Sequence, residues 1–101
     1  MSMANLQRMA QQMQRDMARV QADLDAAIVE GSAGGGVVRA TASGRQELLA
    51  IAIDPSVVDP DDVEMLQDLV LAAANDALRA SRELAEQKMA AVTGGLRIPG
   101  M

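Results

Sequence analysis

Along residues 3–28, apolar side chains recur as Met3, Leu6, Ala10, Met13, Met17, Val20, Leu24 and Ala27, in steps of three and four with no glycine or proline between them. That spacing is the a/d seam of one long helix, which at about 1.5 Å per residue reaches roughly 35–40 Å. Such a rod is longer than any small sheet the rest of a 101-residue chain can offer. The means of burying its stripe are few. The chain has no Phe, Trp or Tyr, and its apolar surface comes from Ala, Val, Leu, Ile and eight Met. A core of such small or flexible groups is thin, and small domains usually add disulfides, metals or oligomerisation. With no Cys and no His the first two remedies are largely excluded. A single domain that forms a homo-oligomer is expected, most simply a twofold dimer.

The same absences bear on function. The commonest general base, the commonest metal ligands and the thiolate nucleophile are all missing. The chain is therefore read as a non-enzyme with no catalytic residue, metal or cofactor and no small-molecule substrate. Its opening, MSMANLQRMAQQMQR, interleaves Gln and Arg with apolar positions, unlike a secretory signal, and no run of about 18 apolar residues provides a membrane span. A soluble cytoplasmic protein without a membrane partner is expected.

The stretch EGSAGGGVVRA, residues 30–40, invites comparison with a phosphate-binding loop. Such a loop needs Gly-Lys-Ser/Thr entering a helix, so that backbone N–H groups face the anion. Here no Lys follows and the run enters VVRA, a strand, so the glycines are assigned to geometry: close approach of another backbone or helix, or a bend. Helix 1 is expected over residues 1–30, with Gly31 ending it. VVRATAS and QELLAIAI then form an antiparallel hairpin, with Gly44 taking the positive φ of its turn. Leu49, Ile51 and Ile53 fall on one face of the second strand and Leu48, Ala50 and Ala52 on the other, so both faces need cover. The chain's helices supply one cover and a partner subunit the other.

With the sheet placed at 31–54, the second helix is expected over 59–92. Asp59 is its N-cap, Pro60 its first residue, and Asp61, Asp62 and Glu64 suit the positive end of its dipole. A calcium loop counted from Asp59 needs Gly at its sixth position and finds Glu64. Leu66, Leu69, Val70, Ala73, Ala77, Ala80 and Leu84 mark the inner face, and residues 93–101 form a Gly/Pro-punctuated tail.

The succession VEGSAGGGVVRATASG, IDPS, DPDDVEMLQDLVLAAANDAL and TGGL, with PG near the end, resembles the YbaB/EbfC family of bacterial nucleoid-associated proteins over nearly the whole chain. The resemblance implies an α+β fold with two long helices flanking a three-stranded antiparallel sheet, the segment from Val29 to Gly34 supplying the first strand. It also implies a homodimer whose helices project like tweezers, double-stranded DNA as partner, altered DNA conformation and a place in the nucleoid.

Net charge is −5 and the pI about 4.5, unpromising for a phosphate binder. The distribution is more favourable. Residues 1–15 hold Arg8 and Arg15 and no acid, whereas residues 46–78 hold eight acids and no base. Residues 79–101 hold Arg79, Arg82, Lys88 and Arg97 against Glu83 and Glu86. Antiparallel helices would bring the two basic ends to one tip. Asn5, Arg8, Gln12, Arg15 and Arg19 share the helix face opposite the seam, a row of donors for phosphate oxygens. Arg79 with Glu83 and Arg82 with Glu86 have the spacing of surface ion pairs, while Lys88 and Arg97 are freer. The candidate nucleic-acid-binding set is Arg8, Arg15, Arg19, Arg79, Arg82 and Lys88. Without aromatic platforms duplex DNA is favoured over single strands, and without a helix-turn-helix the contact is to backbone or shape. The alternative is a protein-interaction adaptor using Met-rich helical faces, although Met13 and Met17 lie on the seam. A coiled-coil structural protein is weakened because the heptads stop near Ala27.

Overall fold

The computed structural model describes residues 2–93. Helix α1 (Met3–Ala26) leads into strands β1 (Ile28–Ala33), β2 (Val38–Ser43) and β3 (Leu48–Ile53), a 3-10 turn at Pro55–Val57, and helix α2 (Val63–Thr93). The strands form one antiparallel sheet in the order β1-β2-β3, which is the α-β-β-β-α architecture implied by the resemblance.

α1 begins where the Ser2 hydroxyl accepts the Asn5 N–H at 3.3 Å, a side-chain N-cap. It ends at Ala26, four residues short of the expected boundary, and Ala27 is already extended. Ile28 and Val29 fall off the a/d seam, and their β-branched side chains, stiff in a helix, suit a strand; here both pair with β2. Gly31 is thus not a helix cap. The open carbonyls of α1 are met from the β2–β3 connection, where the Gly44 N–H donates to Leu24 O at 3.0 Å and Ala27 O at 3.2 Å.

The core is thin and works by close approach. Val38, Ala40 and Ala42 of β2 pack against Ala73 and Ala77 of α2, all five at 1% exposure or less. A Cβ on Gly31 would stand 2.2 Å from Ala77 N and 2.7 Å from Ala73 O, so helix backbone rests directly on strand backbone. Small residues on both sides let dispersion contacts form without large side chains. Gly34, Gly35 and Gly36 form the β1–β2 turn with φ of 64°, 75° and 101°. Gly44 does not adopt the positive φ expected of it; Gln46 does, at 64°. Gly44 is needed for space, since its Cβ would lie 2.6 Å from Leu24 O. Gln46 is held by α2: its N–H donates to Ser81 Oγ at 2.9 Å, and that fully buried hydroxyl donates to Ser43 O at 2.7 Å.

α2 starts at Val63 rather than 59. Asp62 is the cap, accepting the Met65 N–H at 3.1 Å, while Asp59 accepts the Asp61 N–H at 2.9 Å in a local turn of its own. Before it, the Asp54 carboxylate accepts the Ser56 N–H at 2.9 Å; this bond, then one from the Ser56 hydroxyl, holds its carboxyl below the ordinary range.

α2 covers β1 and β2 but leaves β3 largely bare. Ile53 and Ile51 stand opposite Val38 and Ala40, on the same sheet face as the core, yet each is 39% exposed. A register shift between Thr41 and Ala42 sets Leu48 opposite Ala42. Strict alternation had put Leu48 on the other face; the bulge brings it beside Ile51. The chain measures 71 × 29 × 16 Å with a radius of gyration of 19.7 Å, against about 13 Å for a compact chain of 100 residues.

Candidate nucleic-acid interface

The long dimension comes from the offset of the two helices. α2 is pinned to the sheet through Ala73, Ala77 and Ser81, and its later turns reach the inner half of α1, where Lys88 Nζ lies 3.8 Å from Asp23 Oδ2. Farther out, Ser2 and residues 3–12 of α1 are all exposed. The outer half of α1 is therefore an arm that overhangs α2. The expected meeting of two basic helix ends at one tip does not occur among the described residues, because the sheet fixes α2 too far back. Arg97 lies outside the described residues, as do Gly94–Met101 as a whole.

The candidate cations divide into three groups. Arg8 and Arg15 lie on the arm, and among the described residues neither makes an ion pair; Arg15 Nη2 instead donates to Gln12 Oε1 at 2.9 Å. Their separation of seven residues is about 10.5 Å along one helix face. Arg19, Arg79 and Lys88 each face a carboxylate, from Asp16, Asp76 and Asp23 respectively. Arg79 is also remote from the arm: its partner Asp76 accepts the Ser32 N–H of β1 at 3.1 Å, which places the pair beside the sheet. The expected i,i+4 pairs of Arg79 with Glu83 and Arg82 with Glu86 are absent among the described residues, and Arg82 makes no ion pair there. Exposed pairs of this kind contribute about 0–1 kcal/mol, but each leaves less net charge for an anionic partner.

Two further arginines lie outside the candidate set. Arg45 Nη1 donates to Asp25 Oδ1 at 3.2 Å. Arg39 Nε donates to Gly36 O at 3.3 Å, at the end of the sheet where Asp54, Asp59, Asp61 and Asp62 follow β3. Alternation along β2 gave no signal to single it out. The carboxylates of Asp54, Asp59 and Asp62 are engaged in turns and a cap, and among the described residues no cluster of three or more His, Cys, Asp or Glu could hold a metal ion. None of the described helices is long and apolar enough to cross a membrane. The molecule thus has a cationic arm free of acid from residue 2 to residue 15 and an acid-rich opposite end.

Residues 1–96 match the YbaB/EbfC DNA-binding family. The chain belongs to that family. It is 55% identical to a nucleoid-associated protein of Moorella thermoacetica over 103 aligned residues, covering 99% of each chain. It is 56% identical to a nucleoid-associated protein of Chloroflexus aurantiacus, covering 96% of this chain and 97% of the relative. The crystal structure of an uncharacterized protein from Helicobacter pylori has the same fold, with a TM-score of 0.73 at 24% identity over 96% of this chain and 99% of the other. The YbaB/EbfC family is a DNA-binding family of nucleoid-associated proteins, not a family of enzymes.

Proposed function

We propose that this YbaB/EbfC member binds double-stranded DNA in the nucleoid as a homodimer, gripping phosphates with the α1 arms and reading little base sequence. The observation that carries this reading is the acid-free arm with Arg8 and Arg15 on one face. A chain with net charge −5 is repelled by DNA as a whole, so contact requires cations held away from its carboxylates. Arg19 is a secondary contact because Asp16 shares its charge, and Lys88, Arg79 and Arg82 lie behind the arm. A lone arm offers few phosphate contacts. Two arms on one dimer raise the effective concentration of the second contact.

The dimer contact proposed is the bare flank of β3. Leu48 and Leu49 are 45% and 53% exposed, beside Ile51 and Ile53. Covering each half-exposed side chain contributes about 1 kcal/mol, and a twofold contact doubles the set.

The test is duplex binding titrated against salt for wild type and the Arg8→Ala/Arg15→Ala variant. The wild type should lose affinity linearly in log–log form as salt rises, and the variant should bind at least about tenfold more weakly with a slope reduced by about one per lost phosphate contact. A salt-independent wild-type affinity, or a variant with unchanged slope, contradicts the phosphate grip.

A further inference from the structure

The a/d seam of α1 outlasts its cover. Val20 and Leu24 are 6% and 8% exposed, on the stretch that α2 reaches, where Lys88 Nζ lies 3.8 Å from Asp23 Oδ2. Met17 and Met13 are half-buried, and outward from residue 12 every described residue is exposed, Leu6 at 49% and Met3 at 73%. The seam thus accepts a helix along its inner half. It then continues with the same spacing for about 15 Å from Met13 to Met3, and no described element covers it there. In heptad terms Met3 and Ala10 are a positions, and Leu6 and Met13 are d positions. The flanks of this stretch, Ser2 and Met9 at g with Gln7 and Gln14 at e, carry no charge. Arg8 and Arg15 both fall at f, farthest from the seam.

We infer that the outer turns of α1 pair antiparallel with the same turns of a second copy, and that arms joined in this way tie together two protein-bound duplexes. A narrow a/d stripe is filled by a helix carrying a matching uncovered stripe, and among the described elements only α1 has one. An antiparallel register centred on Arg8 sets Leu6 against Ala10 of the second copy and Met3 against Met13. Large then meets small at the centre, the alternation that lets facing layers interdigitate. Duplex DNA is a poor occupant, since these apolar side chains offer phosphate oxygens no donor. The uncharged flanks neither attract nor repel, so charge elsewhere sets the direction. Parallel arms would bring side by side two segments 46–78, each with eight acids and no base, whereas antiparallel arms keep the two 71 Å molecules end to end. With the arginines at f, each arm of the pair presents Arg8 and Arg15 away from the other arm. Two helices in contact over about 15 Å bury far less than the roughly 1,200 Å² of a stable interface. One such pair is weak on its own and gains from the high local concentration of molecules held on DNA. The bridge rests on the duplex-binding reading above; the arm contact does not, and it is measured without nucleic acid.

Sedimentation of the full-length chain, compared with Leu6→Gln/Ala10→Gln, tests the contact. Both substitutions keep helix-forming, uncharged residues at exposed positions, and circular dichroism checks that the helices persist. Between about 10 μM and about 1 mM the mean mass of the wild type should rise at least about 1.5-fold, whatever its mass at the lower limit, while that of the variant stays constant. The native chain has no cysteine, so the register is read by mixing the single variants Leu6→Cys and Ala10→Cys. Under mild oxidation their mixed disulfide should form at least about tenfold faster than the disulfide of Gln11→Cys with itself, because Gln11 lies off the seam. A wild-type mass that stays flat, an equal rise in the variant, or no preference for the mixed disulfide overturns the arm contact. For the bridge, wild type should retain a free labelled duplex on a bead-bound one, and Leu6→Gln/Ala10→Gln should not, although it binds a single duplex within about twofold of wild type. Equal retention by the two proteins overturns the bridge; failure of both to bind even one duplex would instead count against the phosphate grip.

Discussion

β2 and β3 are neighbours in one sheet, and their burial runs opposite to their hydrophobicity. β2 carries Arg39 and Thr41 yet is sealed at its three alanine and valine positions facing α2, with Val38 and Ala42 fully buried. β3, made only of Leu, Ala and Ile, is exposed at every position. Burial here follows the line along which α2 can approach. Gly31 and the alanines of β2 and α2 permit backbone contact over β1 and β2, and that contact draws α2 away from β3. What the monomer gains in close packing on one side it leaves uncovered on the other, and the uncovered side carries the larger residues.

The largest effect is expected where the approach is closest. Gly31→Ala would place a methyl 2.2 Å from Ala77 N and should destabilise the fold by about 3 kcal/mol or more, lowering Tm by roughly 10 °C or more. A near-neutral result in thermal unfolding would mean that α2 is not held by backbone contact. Next, Ile51→Glu on β3 should keep its helical circular dichroism while shifting the protein toward monomer, and should weaken duplex binding about 10- to 100-fold as the two arms are uncoupled. Unfolding at that position would instead make β3 part of the monomer core. Third, Arg79→Ala should leave DNA affinity within about twofold, because Asp76 already shares its charge, in contrast to the arm arginines; a loss equal to theirs would move the interface to the sheet.

The smallest effect concerns Asp54, just beyond β3. Its carboxyl is held below the ordinary range chiefly by the Ser56 N–H and then by the Ser56 hydroxyl. A depressed folded-state value means the contribution is present above the unfolded-state value, about 3.9, and is lost as pH falls through the folded one. The stability difference between wild type and Asp54→Ala should therefore hold constant from neutral pH to the carboxylate range and close only in stronger acid. A difference that already closes near neutrality would contradict the assignment.

Much of this fold was legible because the strong signals are periodic. The α1 seam, the two β-prone runs and the inner face of α2 each repeat over enough residues to fix the element type. The end of α1 was not, since no glycine or proline stands between Leu24 and Glu30 to stop the helix, and only the pairing of Ile28 and Val29 with β2 ends it. For the same reason β1 came from the family resemblance and not from the residues. Gly44 is required for space and not for a positive φ, and no local pattern distinguishes the two needs. At the interface, Arg8 and Arg15 were readable because no acid lies near them in sequence. The offset of α2, which separates them from Arg79 and Arg82, depends on the contact of Gly31 with Ala77 across the fold and leaves no trace in either helix alone.

The proposal that β3 is an interface rests on its bare apolar face, and the mass of the wild-type protein in solution addresses it most directly. Sedimentation equilibrium at micromolar concentration should give about twice the chain mass of 10.6 kDa, falling to the chain mass for Ile51→Glu. A wild-type protein that sediments at the single-chain mass, with Leu49 and Ile51 left to water, would contradict the account.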